Sequence, residues 1–91
     1  MDSISALRDR IKLMDADRAI AVISDFIAAN PGSADAYVTR GLKYFGRGDR
    51  ALAINDFLKA LEIQPDSVAA KTALDSANSI LDFYNKDLFN P

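Results

Sequence analysis

The sequence predicts an all-α chain, built of stacked helix hairpins and closed by one further helix. Three observations carry that reading. Apolar residues recur at three- and four-residue spacing in five segments. No stretch of Val, Ile and Thr alternates with period two, as a half-buried strand would require. The second and fourth segments also match each other at one period of 34 residues: Ala19 with Ala53, Ile20 with Ile54, Ile23 with Phe57, Ile27 with Leu61, and Pro31 with Pro65. Five matched sites at one spacing mark a repeated structural unit.

The first segment, Ser3 to Met14, sets Ile4, Leu7, Ile11 and Met14 on one helical face, with Asp2 or Ser3 as its cap. Asp15-Ala16-Asp17 breaks the pattern and puts acids at the start of the next helix, where the helix dipole favours them. That second helix runs from about Asp17 to Ala29, with Ala19, Ile20, Val22, Ile23, Phe26 and Ile27 as its apolar face. Asn30-Pro31-Gly32-Ser33 stops it, and Ser33 offers the next cap. The third helix takes Ala34 to Phe45 and ends at Gly46-Arg47-Gly48, since glycine enters the left-handed conformation without steric cost. Asp49 is the expected cap of the fourth helix, Arg50 to Ile63, which Pro65 closes. The fifth runs from Ser67 to about Tyr84 with Ala70, Ala73, Leu74, Ala77, Ile80, Leu81 and Tyr84 in one stripe. A polar tail, 85–91, follows, with Leu88 and Phe89 as its apolar residues.

Ninety-one residues suit one small domain with a modest core, and 49% hydrophobic content argues against disorder. A net charge of −2, with both signs mixed along the chain, makes no case for nucleic acid or anionic lipid. The absence of Cys excludes disulfides and thiolate chemistry, and the absence of His removes the commonest general base and metal ligand. No metal-ligand spacing and no constellation of nucleophile, base and oxyanion donors stands out, so neither an enzyme nor a cofactor is expected. The start lacks a basic region followed by a long apolar run, so no signal peptide is read. The longest strongly apolar run, Ala19 to Ile23, is too short to span a bilayer. A cytoplasmic protein is the expectation.

Tyr37, Gly41 and Tyr44, followed by Ala53, Phe57, Ala60 and Pro65, resemble the tetratricopeptide repeat (TPR), a 34-residue helix hairpin. The resemblance implies a short α-solenoid: repeat one at about 2–31, repeat two at about 34–65, and a capping helix at about 67–84. It also implies a protein-interaction module of unidentified partner. In the first repeat a register slid by one residue sets Ile4, Leu7 and Ile11 opposite Tyr37, Arg40 and Tyr44. That slide leaves Arg8 opposite the small residue Gly41. Arg40 departs from the family pattern by standing at its usual Leu site, and is expected to pack its stem and pair with Asp56.

By the same resemblance, the first helix of each pair lines a concave groove that takes a peptide or partner helix. The implied lining is Asp35, Val38, Thr39, Leu42 and Phe45 on the third helix, with Ala69, Thr72, Ala73 and Ser76 on the fifth. Ser5, Ala6 and Asp9 extend it on the first. The strip Val38, Leu42 and Phe45 either accepts a hydrophobic segment or packs against the fifth helix. The positions where some TPR proteins clamp a C-terminal carboxylate hold Ser5, Asp9, Thr39, Ala69 and Ala73, none of them cationic, which argues against such a clamp. Arg40, Lys43, Arg47 and Arg50 read as a solvated helix end, and Arg47-Gly48-Asp49 as a turn rather than an adhesion signal. Phe83, Tyr84, Leu88 and Phe89 gather apolar area near the C-terminus. Two and a half repeats approach the lower limit of independent stability, so self-association into a homo-oligomer by stacked helix ends is the alternative function.

Overall fold

The computed structural model describes residues 4–89, and residues 80–89 by their backbone alone. The helices are α1 (Ile4–Ile11), α2 (Ala16–Ala29), α3 (Ala34–Arg47), α4 (Arg50–Ile63) and α5 (Val68–Phe89). There is no strand among the described residues. The chain is therefore all-α: a short solenoid of two helix hairpins, α1/α2 and α3/α4, with α5 lying against α3 and α4 as a cap. The expected Asp2 or Ser3 cap, and the side chains of Ile80, Leu81, Phe83, Tyr84, Leu88 and Phe89, lie outside the described residues.

Local chemistry sets most helix ends. Asp15 caps α2 by accepting from the Arg18 N–H at 2.8 Å, and Ser33 caps α3 by accepting from the Ala36 N–H at 3.2 Å. Ser67 caps α5 through the Ala70 N–H at 3.1 Å. Gly48 adopts φ 92°, the left-handed conformation, and its N–H donates back to the Phe45 carbonyl. Glycine is needed there because a Cβ strains that conformation. Gly46, by contrast, stays within α3, which runs two residues past the expected end at Phe45.

Three further expected ends are corrected. α1 stops at Ile11 rather than running to Met14, with Lys12 and Leu13 in a turn. Asp49 stands at the cap position of α4 but makes no capping hydrogen bond. Its carboxylate accepts instead from the Arg47 guanidinium. α5 continues to Phe89 rather than ending near Tyr84. No Gly or Pro interrupts the chain before Pro91, so nothing there breaks the hydrogen-bond ladder.

The core is a continuous seam with three centres. Leu7 and Ile11 of α1 meet Ala19, Ile23 and Ile27 of α2 and Ala36 of α3. Ala34 and Val38 of α3 meet Ala60 of α4 and Ala70 of α5. Ala53 and Phe57 of α4 meet Ala73 and Ala77 of α5. Tyr37 packs against both of the first two centres and joins them. Gly41 sets the α3–α4 distance: a Cβ there would sit 2.5 Å from Phe57 Cε1, and Phe57 is fully buried. The small residue lets the two backbones approach over the aromatic ring.

Arg40 ties the hairpins together. Its guanidinium donates twice to the Asp56 carboxylate, Nε to Oδ2 and Nη2 to Oδ1, both at 2.8 Å. Its Nη1 donates to Ser24 Oγ at 3.2 Å, so one side chain of α3 reaches α4 and α2 together. The guanidinium carbon lies 5.5 Å from the Tyr37 ring centroid and 5.8 Å from that of Tyr44. The Arg40–Asp56 pairing expected from the sequence is thus present. The Ser24 contact and the tyrosine faces complete the donor and π environment of a largely buried cation.

Candidate partner-binding groove

The helices that open each unit, α1, α3 and α5, line a continuous depression with two lobes. Between α3 and α5, Val38, Leu42 and Phe45 face Ala69, Thr72, Ala73 and Ser76 across about 450 Å³. Between α1 and α3, a lobe of about 470 Å³ is bordered by Arg8, Ile11, Lys12, Val38, Thr39, Leu42 and Lys43, with Ala69 at its edge. The α3–α5 lobe exists because α5 presents small side chains there, so no bulk fills the space beside Leu42.

The residues expected from the sequence are distributed as follows. Leu42, Phe45, Ala69, Thr72 and Ala73 border the α3–α5 lobe, Thr39 borders the other, and Val38 borders both. Asp35 borders neither, and Ser5, Ala6 and Asp9 of α1 are also absent from both. Val38 is only 3% exposed and packs with Ala34, Ala60 and Ala70, whereas Leu42 is 50% exposed. The strip is therefore divided: Val38 and the half-buried Phe45 pack inward, and Leu42 stands open. Thr39 is buried and its Oγ1 donates to the Asp35 carbonyl at 2.8 Å, which spends its hydroxyl proton within α3.

The solved structure of Bacteroides fragilis protein BF1650, determined by solution NMR, matches with a TM-score of 0.79 at 34% identity over 99% of this chain and 91% of that one. The DnaJ homolog subfamily C member 7 homolog of Schizosaccharomyces pombe is 35% identical over 77 residues, covering 82% of this chain and 16% of that protein. This chain belongs to the tetratricopeptide repeat family. No protein-family model matches it. As a TPR domain it is a module for protein–protein interaction. It spans about a sixth of the yeast relative's length.

In this TPR domain three cations on the groove went unrecognised in the sequence: Arg8, Lys12 and Lys43. The slid register set Arg8 opposite Gly41, facing the helix pair. The structure corrects this: Ile4, Leu7 and Ile11 do pack against α2 and α3, but Arg8 is exposed and borders the groove, like Leu42, which stands 34 positions further on. The unbroken 34-residue period carried the signal for Arg8. Lys43 stands in sequence among Arg40, Arg47 and Arg50, but of the four only Lys43 borders the groove, and the Arg40 and Arg47 guanidiniums both lie near the Tyr44 ring. Arg40 turns inward, while Arg47 donates to Asp17 at 2.6 Å and also binds Asp49. Arg47 and Asp49 of the Arg-Gly-Asp turn thus hold each other. The Arg47 guanidinium is pushed above its ordinary value, first by its bond to Asp17 and then by that to Asp49.

Among the described residues no group of three or more His, Cys, Asp or Glu side chains could hold a metal ion, and no helix is long and apolar enough to cross a membrane.

Proposed function

We propose that the chain is a cytoplasmic adaptor that holds a peptide or partner helix in the groove between α1, α3 and α5. The supporting observation is Leu42, a large apolar side chain left 50% exposed above the small side chains of α5, although Val38, one turn before it, is buried. An apolar anchor beside an open depression is the arrangement that receives an amphipathic segment. The surface suited to a test is Leu42 with Ala69, both exposed, because an Asp at Val38 would place a carboxylate in the core. A Leu42→Asp/Ala69→Asp variant should keep its helical circular dichroism and lose the partners that wild type retains on a column. Retention of those partners at unchanged affinity would place binding on another face.

Homo-oligomerisation is the second reading of the sequence. The exposed Leu13, Leu52 and Leu58 do not favour it: Leu13 lies in a turn, and Leu52 and Leu58 sit about 120° apart around α4. Light scattering across a concentration series decides it, a monomer throughout being the expected result.

A further inference from the structure

The two lobes differ in chemistry. The α3–α5 lobe has no charged residue on its border among the described residues. The α1–α3 lobe carries Arg8, Lys12 and Lys43 and, among the described residues, no acid. Three other cations are matched internally, Arg40 with Asp56, Arg47 with Asp17 and Asp49, and Lys59 with Glu62, while Arg10, Arg18 and Lys71 border neither lobe. Arg8, Lys12 and Lys43 make no ion pair or side-chain hydrogen bond among the described residues. They gather around one half of a groove on a chain whose net charge is −2, so the overall charge does not account for them.

We propose that the groove's occupant is an acidic amphipathic segment of a partner protein, with its apolar side chains between α3 and α5 and its carboxylates toward Arg8, Lys12 and Lys43. This rests on the groove-binding reading above and adds the partner's chemistry. Complementary charge at the border of an apolar site sets orientation and speeds encounter. The three cations come from α1, the turn after it, and α3, so they would engage carboxylates on more than one side of the segment. A nucleic acid fits less well: three cations make a small basic footprint, and the one aromatic on the groove among the described residues, Phe45, is half-buried against α4 and α5 rather than offered for stacking.

The test is fluorescence anisotropy on the full chain with labelled probes. Two peptides of about fifteen residues carry Leu at i, i+3, i+4 and i+7. One has Glu at its polar positions and the other Gln; the third probe is a single-stranded oligothymidine. The Glu peptide should bind about tenfold tighter than the Gln peptide at about 50 mM salt, with the gap closing near 500 mM. The triple variant Arg8→Gln/Lys12→Gln/Lys43→Gln should keep its helical circular dichroism and remove the gap. Leu42→Asp should weaken both peptides. Equal affinity for the two peptides would overturn the acidic occupant while leaving the groove reading intact. Binding unaffected by Leu42→Asp, or no binding of either peptide, would overturn both. Oligothymidine binding tighter than the Glu peptide, and lost in the triple variant, would overturn the proposal in favour of a nucleic-acid site.

Discussion

At the scale of single residues, Arg40 and Gly41 show how one helix turn serves two neighbours. Asp56 is nearly buried, and its carboxylate is matched by the Arg40 fork. Arg40→Leu should therefore cost about 3 kcal/mol, because it strands a buried charge. Arg40→Leu combined with Asp56→Val should return to within about 1 kcal/mol of wild type, since a buried pair can often be exchanged for apolar packing. Urea melts of the two singles and the double form the cycle that measures this. The hydrogen bond to Asp56 is the chief reason the Arg40 guanidinium is held above its ordinary value, outweighing desolvation. A raised folded-state value contributes stability that is fully present below the unfolded value and fades only in strong alkali, so this group should add no slope between about pH 6 and pH 10. Gly41→Ala pushes a methyl into the fully buried Phe57 ring and should cost about 1–3 kcal/mol, since the ring has nowhere to move. The Arg40–Asp56 pair was legible because both residues break the apolar pattern at facing positions. Ser24 was not, because a serine on a helix carries no period of its own.

At the scale of elements, helix identity was readable from spacing and helix ends were readable only in part. Ser33 and Asp49 look alike in sequence, each a capping residue after a turn. In the structure Ser33 caps α3, while Asp49 is captured by Arg47 across the left-handed Gly48. Ser33→Ala should therefore lose about 1 kcal/mol, whereas Asp49→Ala should leave the urea midpoint close to that of wild type. Competition between a backbone N–H and a nearby guanidinium for one carboxylate is a three-dimensional matter that linear spacing does not encode. The length of α5 was missed for a related reason. Polar residues after Tyr84 suggested an end, but polarity does not stop a helix unless a breaker or a competing cap is present.

At the scale of the whole molecule, order of stability should follow depth of packing. α1 has eight residues and only Leu7 and Ile11 buried, whereas α3 and α4 share the fully buried Phe57 and the Arg40 tie. Amide hydrogen exchange should find α1 the first helix to lose protection and the α3/α4 hairpin the last, because local opening follows buried contact. The solenoid and its groove were legible from the 34-residue period and the family resemblance. The three cations along it were obscured in one case by an assumed one-residue slide and in another by grouping Lys43 with sequence neighbours that face elsewhere. Lys12 lies in the turn after α1, within the stretch read as helix.

The side chain that holds Ser24 and Asp56 projects from α3 about 200° around the helix from Leu42, so the tether and the proposed receiving face share one rod. A visitor to that face meets a surface whose backing is already fastened on two sides. Little of its contact energy would go into bending the scaffold, and its arrival rate should be set by diffusion and long-range attraction rather than by waiting for the walls to assemble.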